Sequence, residues 1–326
     1  MQRRRVSFIR GKVDPSWTPN GYKRIKSGGR LNITETTAFE TIYRTYRAYG
    51  LSIAYRMLGT YTDAEDIVQD VFAELAAKDP AEIQNMKSYI AKAVTNRCLN
   101  LLRSARKTRE EYIGEWLPEP IAASTDLPEL AAEQKDTLSY AYLLMLERLG
   151  PMERAVFLLR EVFEYDYAQI ADMTGKTEAN CRKIFSRAKQ QFKGSEPPAS
   201  PVDDEQRKAA VERFADAFLH YDPKMLLGLL AEDAMLISDG GGVARTAIRP
   251  IFSRDRILRL FVSQKAYRDM RIWDTRITEL NGETAIVFTS GHEVKAAFCF
   301  RFTESGNRLQ HLYMIKNPYK LLHLRV

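Results

Sequence analysis

Residues Asp166–Phe192, with the sequence DYAQIADMTGKTEANCRKIFSRAKQQF, decide the fold of the middle of this chain. Asp166 followed by Gln169 three residues later is typical of a capping box, which starts a helix. Gly175 ends that helix, because a tight helix exit favours a residue that tolerates positive φ. Thr177 is suited to cap a second helix. The stretch therefore predicts two short helices joined by a tight turn, a helix-turn-helix.

The second of these helices has an apolar and a basic face. Apolar residues at helical spacing predict a buried stripe of Cys181, Ile184, Phe185, Ala188 and Phe192. The opposite face carries side chains that can reach DNA phosphates or base edges: Arg182, Lys183, Ser186, Arg187, Lys189 and Gln190. The pattern favours a recognition helix in a major groove. The alternative is an ordinary amphipathic hairpin whose basic face is solvated.

Length, cysteine content and hydropathy limit the classes to which the chain can belong. Its 326 residues suffice for two or three domains. Its three cysteines, Cys98, Cys181 and Cys299, are far apart and predict neither a zinc site nor a disulfide framework. No apolar run approaches the ~18 residues that span a bilayer. We therefore expect a cytoplasmic protein in a reducing compartment, without metal, cofactor or membrane segment.

The net charge of +7 belongs to the N-terminal tail. Residues 1–31 contain nine Lys and Arg and one Asp, whereas the remainder has 40 basic and 41 acidic residues. Any argument for nucleic acid must therefore come from local surfaces. The tail has no apolar periodicity. It is either a basic DNA-binding arm or, as we prefer, a stretch upstream of a true start near Leu31.

Composition divides the rest of the chain into two helical blocks and one mixed block. A linker with three prolines separates the helical blocks, and a proline-rich hinge follows them. In the last third, apolar residues alternate, and Asn281-Gly282 and Ser305-Gly306-Asn307 are turn signals. The predicted order is a basic tail at 1–31, a helical domain at 36–112, a linker at 113–132, a helix-turn-helix domain at 133–193, a hinge at 194–204 and an α+β domain at 205–326.

The first helical block contains two amphipathic helices of opposite charge. Residues 63–75 combine a buried stripe with an acidic face, which meets either water or a basic protein surface. Residues 86–109 combine an apolar stripe with a basic, amide-bearing face, which suits a single nucleic-acid strand with splayed bases. Each face alone is more often solvated. Their order, followed by a linker and a helix-turn-helix, favours the functional interpretation.

Together these segments resemble a bacterial sigma-70-type factor of the extracytoplasmic-function (ECF) class. AEDIVQDVF at 64–72 is similar to the region 2 helix that binds core RNA polymerase, residues 88–109 to the part that melts and reads the −10 element, and residues 146–192 to region 4, which reads the −35 element. The resemblance implies polymerase contacts by Asp63, Glu65, Asp66, Gln69 and Asp70, −10 contacts by Lys92, Asn96, Arg97, Asn100, Arg103 and Arg106, and −35 contacts by Thr177, Arg182, Lys183, Ser186, Arg187 and Lys189. Asn100 departs from the family pattern, since many relatives have an acidic residue there.

Three short motifs narrow the resemblance to one subgroup. WLPEP at 116–120, DGGG at 239–242 and NPYKL at 317–321 are similar to the signature of ECF factors that carry a SnoaL-like extension of the nuclear-transport-factor-2-like fold. Tyr319 stands where the usual motif has Asp. The implied fold is multi-domain, with two all-α sigma domains followed by an α+β cone. The implied interdomain regulatory residues are Trp116, Leu117, Pro118, Glu119, Pro120, Asp239, Gly240, Gly241, Gly242, Asn317, Pro318, Lys320 and Leu321.

Simpler interpretations of these motifs are a rigid proline spacer and a bare hairpin turn. Trp116 and Leu117 are costly to leave exposed, so we expect the linker to dock. Consecutive glycines permit positive φ and the close approach of another segment. We therefore expect WLPEP and DGGG to lie near each other, and Leu321 and Leu322 to pack back on a neighbouring domain.

Three functions compete. We expect a sigma factor that binds core RNA polymerase and promoter DNA and is regulated in cis by its C-terminal domain. The alternatives are a conventional helix-turn-helix regulator with a ligand-binding domain, and a SnoaL-like enzyme with a DNA-binding appendage. Asp233, Asp239 and His292 are nominal acid–base candidates, but none lies in a motif that demands such chemistry, so no catalytic residue is assigned. A small-molecule ligand in the cone is a further candidate partner.

Overall fold

The computed structural model describes residues 33–110, 112–122, 139–192 and 204–324, without the side chains of 33–37 and 105–110. The predicted tail at 1–31, the linker beyond residue 122 and the hinge up to residue 203 lie outside the described residues. Within these ranges, no helix combines the length and the apolar character needed to cross a membrane.

The N-terminal helical domain is built from three helices. They are α1 (Ile33–Leu58), α2 (Tyr61–Leu75) and α3 (Met86–Glu110), with a 3-10 turn at Pro80–Glu82. The predicted stripe of α2 is buried because α2 packs against both α1 and α3. On α3, burial extends to Ala91, Thr95 and Leu99, because the next domain covers a second side of this helix. These three lie beyond the predicted stripe, which is buried or half-buried and consists of Tyr89, Ile90, Ala93, Val94, Cys98, Leu101 and Leu102.

The helix-turn-helix domain follows the predicted local signals. Its helices are α4 (Tyr140–Leu146), α5 (Pro151–Glu161), α6 (Tyr167–Thr174) and α7 (Glu178–Phe192). The Asp166 carboxylate accepts a hydrogen bond from Gln169 N at 2.7 Å, and Asp166 N donates to Gln169 Oε1 at 3.1 Å. Gly175 ends α6 at φ +66°. Both the predicted start and the predicted exit of the first helix are therefore confirmed.

The C-terminal domain is an α+β cone. Its elements are α8 (Asp204–Leu219), α9 (Pro223–Leu229), β1 (Leu230–Asp239), β2 (Ile251–Phe252), α10 (Arg254–Phe261), β3 (Asp274–Leu280), β4 (Glu283–Ser290), β5 (Glu293–Phe302) and β6 (Leu309–Ile315). The strand order is β2-β1-β6-β5-β4-β3, and every pair is antiparallel except β1 with β6. The predicted Asn281-Gly282 turn joins β3 to β4, with φ of +54° and +77°.

Both faces of this sheet are buried, and they face different partners. On β4, Ile286 and Phe288 point into the domain's own core beneath α8 and α10. The alternate residues Ala285 and Val287 belong to a second apolar cluster that includes Leu117 of the linker. The alternation expected from the sequence does not hold on β4, which has five consecutive buried residues, because a sheet covered on both sides has apolar residues on both faces of the strand. The sheet is thus the layer that joins the C-terminal domain to the rest of the chain.

Candidate functional site

The acidic face of α2 is presented to solvent as predicted, but part of it is already paired. Asp66 and Gln69 are exposed. Asp63 accepts a hydrogen bond from the Thr60 hydroxyl at 2.6 Å, and Glu65 pairs with Arg47 at 3.0 Å. Asp70 lies 3.6 Å from the guanidinium of Arg97. Asp66 and Gln69 are therefore the most available of the five residues predicted to contact polymerase.

The predicted −10 surface on α3 is largely engaged within the molecule. Lys92 pairs with Asp172 of α6 at 3.0 Å. The Asn96 side chain donates to the carbonyl of Met173, also on α6, at 3.0 Å. Arg97 pairs with Asp70 and Glu74 of α2, whereas Asn100 and Arg103 are exposed. The side chain of Arg106 lies outside the description.

The predicted recognition face of α7 is open. Lys183, Ser186 and Arg187 are exposed. Arg182 pairs with Glu178 at 3.0 Å and Lys189 with Glu161 at 3.3 Å, and all four side chains are at least 41% exposed. Exposed pairs of this kind contribute only about 0–1 kcal/mol, so a DNA phosphate can displace them. Thr177 accepts from Asn180 N at 3.3 Å, which confirms it as the helix cap.

The three sequence motifs meet at Asp239, whose side chain is fully buried at the end of β1. Its Oδ1 accepts hydrogen bonds from the Tyr112 hydroxyl at 2.5 Å and from Gly241 N at 3.0 Å. Its Oδ2 accepts from Leu117 N at 2.9 Å and from Lys320 Nζ at 2.8 Å. Lys320 also donates to Leu117 O. This arrangement, called here the Asp239 hub, binds both backbone polar groups of Leu117.

The buried charges of the Asp239 hub, on Asp239 and Lys320, are paired with each other and hydrogen-bonded. A buried carboxylate is tolerated when it is paired and its lone pairs accept hydrogen bonds, and Asp239 has four donors. The Lys320 ammonium lies 4.1 Å from the ring centroid of Trp116, a cation–π contact. Burial, followed by the hydrogen bond to Asp239, raises the pKa of Tyr112 well above its usual value. Its hydroxyl therefore remains a donor to the carboxylate.

The glycines of DGGG allow other segments to approach closely. Gly241 (φ +59°) lies under the Asn317 side chain, where a Cβ would clash, and a Cβ on Gly240 would collide with the carbonyl of Ala244. Asn317 donates from Nδ2 to the Tyr112 hydroxyl at 2.9 Å and from its backbone to Asp239 O at 3.0 Å. The predicted proximity of WLPEP and DGGG is confirmed, and the bare hairpin turn is excluded.

Asn317, Lys320 and Leu321 of the final motif are buried, whereas Tyr319 is exposed. Pro318 begins a 3-10 turn that ends at Lys320, and Leu321 is buried in the cluster with Leu117. Tyr319 is 66% exposed, so this departure from the family motif does not enter the hub. The prediction that Leu322 packs on a neighbouring domain is wrong: it is 78% exposed, because the 3-10 turn points it outward.

Several residues of this interface had no sequence signal. Asn281, predicted only as part of a turn, donates from its backbone to Ile121 O at 2.8 Å and from Nδ2 to the Tyr55 hydroxyl at 2.7 Å. His323 Nε2 lies 2.8 Å from Pro120 O. Tyr140 donates to Pro118 O at 2.7 Å. The linker is therefore held at each residue from Leu117 to Ile121.

The nominal catalytic residues are not assembled into a site. Asp233 is exposed and accepts from Gln310 at 3.1 Å, His292 is exposed beside the β4–β5 turn, and Asp239 is the buried hub. Phenylalanine rings fill the inside of the cone, with centroids 5.3–6.2 Å apart: Phe214, Phe218, Phe261, Phe288, Phe298 and Phe300. These rings occupy the centre of the cone.

Comparison with known proteins agrees with this architecture. The model for sigma-70 region 2 matches residues 42–108, and the model for sigma-70 region 4 matches residues 139–192. The ECF RNA polymerase sigma factor SigJ of Mycobacterium tuberculosis is 29% identical over 294 residues, which cover 88% of this chain and 93% of SigJ. The crystal structure of SigJ matches with a TM-score of 0.68 and 26% identity over 87% of this chain and 98% of that one. The probable ECF sigma factor SigI of the same species is 33% identical over 190 residues, 58% of this chain and 65% of SigI.

Two helical sigma domains, the second with a helix-turn-helix, and a C-terminal α+β domain with a mixed sheet define the class of protein. The chain belongs to the sigma-70 family, as an ECF sigma factor that acts in transcription initiation.

Proposed function

We propose that this sigma factor binds core RNA polymerase through the acidic face of α2, reads the −10 element with α3 and the −35 element with α7, and is regulated in cis by its C-terminal domain. The proposal assigns it to the cytoplasm, where promoters and polymerase meet. Its support is the placement of an exposed acidic face on α2 and an exposed basic face on α7, in two separate domains.

Regulation by the C-terminal domain is supported by the two hydrogen bonds that this domain makes to the backbone of Leu117. The linker connects the two domains that contact DNA, and its backbone at Leu117 is bound on both sides by Asp239 and Lys320 of the C-terminal domain. A tethered domain acts at a high effective concentration, so no separate regulatory protein is needed. Whatever loosens the Asp239 hub frees the linker, and with it the spacing of the two helical domains.

The described arrangement supports a resting form. Asp172 and Met173 of α6 contact Lys92 and Asn96 of α3, and we call these contacts the α3–α6 clasp. The −10 and −35 elements are about 25 base pairs apart, roughly 85 Å at 3.4 Å per base pair. Domains joined by the clasp cannot reach both elements, so promoter binding requires the clasp to open.

We also propose that the C-terminal domain is a regulatory module and not an enzyme. The supports are the exposure of Asp233 and His292, the use of Asp239 in the hub and the phenylalanine-filled cone. A conventional regulator with a ligand-binding domain remains the second candidate, and a soluble ligand would then bind outside the cone.

Run-off transcription with purified core polymerase separates the two candidates. The promoter is first mapped after overexpression of the chain. We expect a promoter-specific transcript when the full chain is added to core enzyme. A chain that binds the promoter fragment but starts no transcript from core enzyme would be a conventional regulator instead.

A further inference from the structure

The N-terminus of α2 is capped by a side chain of the linker and not by the side chain at its own N-cap position. The first amide groups of an α-helix lack partners within the helix. Thr60, at the N-cap position, supplies no side-chain cap, since its hydroxyl donates to Asp63. Instead the Glu119 carboxylate, from WLPEP, accepts from Tyr61 N at 2.7 Å and from Thr62 N at 3.1 Å.

The position of the Glu119 carboxylate is fixed, because the backbone of Glu119 is hydrogen-bonded to the N-terminal domain. Glu119 N donates to Gly59 O at 2.8 Å, and the Tyr55 hydroxyl donates to Glu119 O at 2.6 Å. The Trp116 ring lies on Gly59 (φ +69°), where a Cβ would approach a ring carbon to 2.7 Å. Glu119 is only 6% exposed. The linker therefore grips the turn between α1 and α2 as a unit.

The C-terminal domain holds the linker on both sides of Glu119. On one side Lys320 and Asp239 bind Leu117. On the other, His323 contacts Pro120 O and stacks on the ring of Tyr61, with centroids 5.0 Å apart. The C-terminal domain thus supports the docked linker from which the carboxylate reaches α2.

We propose that Glu119 is a positioning residue that couples the C-terminal domain to the polymerase-binding helix. With the linker docked, Glu119 caps α2 and holds its acidic face in the form that binds core enzyme. When the Asp239 hub loosens, the cap leaves and core affinity falls. This inference rests on the proposed role of α2.

The test uses the full chain with Glu119→Ala, Glu119→Gln and a matched control, Asp222→Ala. Asp222 caps α9 in the same way, accepting from Lys224 N at 2.9 Å and Met225 N at 3.0 Å, but lies in the C-terminal domain. We expect Glu119→Ala to speed amide exchange at Tyr61 and Thr62 and to weaken core binding roughly fivefold, the size of a typical cap loss. Glu119→Gln, which keeps an acceptor oxygen, should recover most of the affinity, and Asp222→Ala should leave it unchanged.

Two outcomes would overturn the inference. One is faster exchange in Glu119→Ala with unchanged core affinity. The other is an equal loss of core affinity in Asp222→Ala, which would make the effect one of general stability. The double variant Glu119→Ala, Lys320→Met should weaken core binding no more than the stronger single change, because both changes act through the same cap on α2. If the two effects multiply, Glu119 and Lys320 act on core binding independently.

Core binding by the Asp66→Lys, Gln69→Lys variant distinguishes a failure of the proposed coupling through Glu119 from a failure of the proposed role of α2. If that variant binds core enzyme normally, the assignment of α2 is wrong. If it fails to bind while Glu119→Ala binds like the wild type, only the coupling is wrong.

Discussion

Asp239 and Lys320 form a buried ion pair within the interdomain contact. Their exposed fractions are 0% and 6%, and each also binds the backbone of the linker. A buried ion pair is weak evidence for stability as a pair, but removing one member leaves an uncompensated buried charge. The two residues should therefore behave very differently when changed singly and together.

Lys320→Met should lower the free energy of unfolding by about 3–5 kcal/mol, because Asp239 is left buried without its cation. Lys320→Met with Asp239→Asn should be less destabilised than the sum of the single changes. Urea denaturation measures both. Lys295→Met, which breaks an exposed pair with Glu293, is the control and should cost about 0–1 kcal/mol. Additive losses would argue against a coupled buried pair.

His311 gives the protein a pH-dependent element. Burial lowers the pKa of His311 to about 4, and the positive charge of Arg301 is the second cause. Asp233 opposes this shift more weakly, and Arg148 adds a small further lowering of the pKa. Its unfolded pKa is about 6.5. The unfolded chain therefore binds the proton more readily, so the contribution of His311 is full above pH 6.5 and is lost as the pH falls towards 4.

We expect the wild type to lose more stability between pH 7 and pH 4.5 than His311→Gln does. Urea midpoints at the two pH values check this difference. Equal losses in the two proteins would show that His311 titrates normally in the folded state.

The residues of the hub illustrate what sequence could predict. WLPEP, DGGG and the final motif are recognisable in the sequence, and the proximity of WLPEP and DGGG is expected, because exposed Trp and Leu and consecutive glycines call for a partner. The presence of Asn317 and Lys320 at the same place is not predicted. Tyr112 and Asn281 were missed, because a lone Tyr beside a motif and an Asn in a turn have ordinary local roles. Their second roles depend on which segments the fold brings together.

Helix α2 has one face that packs in the N-terminal domain and an opposite, acidic face that is exposed. The buried stripe fixes the helix in the N-terminal domain, and the outer face leaves Asp66 and Gln69 exposed to solvent. Asp70 is less suitable for substitution, because it lies against Arg97.

Asp66→Lys with Gln69→Lys should abolish core binding while preserving the fold, because reversed charge repels a basic protein surface. Titration of labelled core polymerase measures the affinity, and circular dichroism checks the fold. Asp255→Lys on α10, also an exposed helical acid, is the control. Wild-type affinity in the double variant would remove α2 from the polymerase interface.

On α7, Lys183→Ala and Arg187→Ala should weaken promoter binding. A base contact should cost about 1–3 kcal/mol and relax specificity at one position, whereas a phosphate contact should reduce the salt dependence and weaken all sequences alike. Fluorescence anisotropy at several salt concentrations distinguishes the two. Lys208→Ala on α8 is the control. Variants with wild-type affinity and selectivity would contradict a recognition helix.

Across the whole molecule, the order of domains followed from composition, but their packing did not. Capping signals and apolar periodicity located α6, α7 and the strands β4 and β5. The α3–α6 clasp was not predicted, since Lys92 and Asn96 appeared as solvated or DNA-facing groups. Long-range contacts between exposed polar residues leave little trace in a single sequence.

Asp172→Lys should open the clasp by repelling Lys92. Spin labels at the exposed positions Ser104 and Gln190 report the distance between the two helical domains. We expect a longer-distance population in Asp172→Lys that is small in the wild type and in the control Glu164→Lys. Identical distance distributions in all three proteins would mean that the clasp does not hold the domains together.

We infer that the C-terminal domain controls the sigma domains through the Asp239 hub. This control can be measured by run-off transcription from core polymerase and a mapped promoter, with the wild type compared with the Asp239→Asn, Lys320→Met double variant. We expect the double variant, folded by circular dichroism, to transcribe severalfold less at subsaturating concentrations. If it transcribes like the wild type at every concentration, the Asp239 hub does not control the sigma domains.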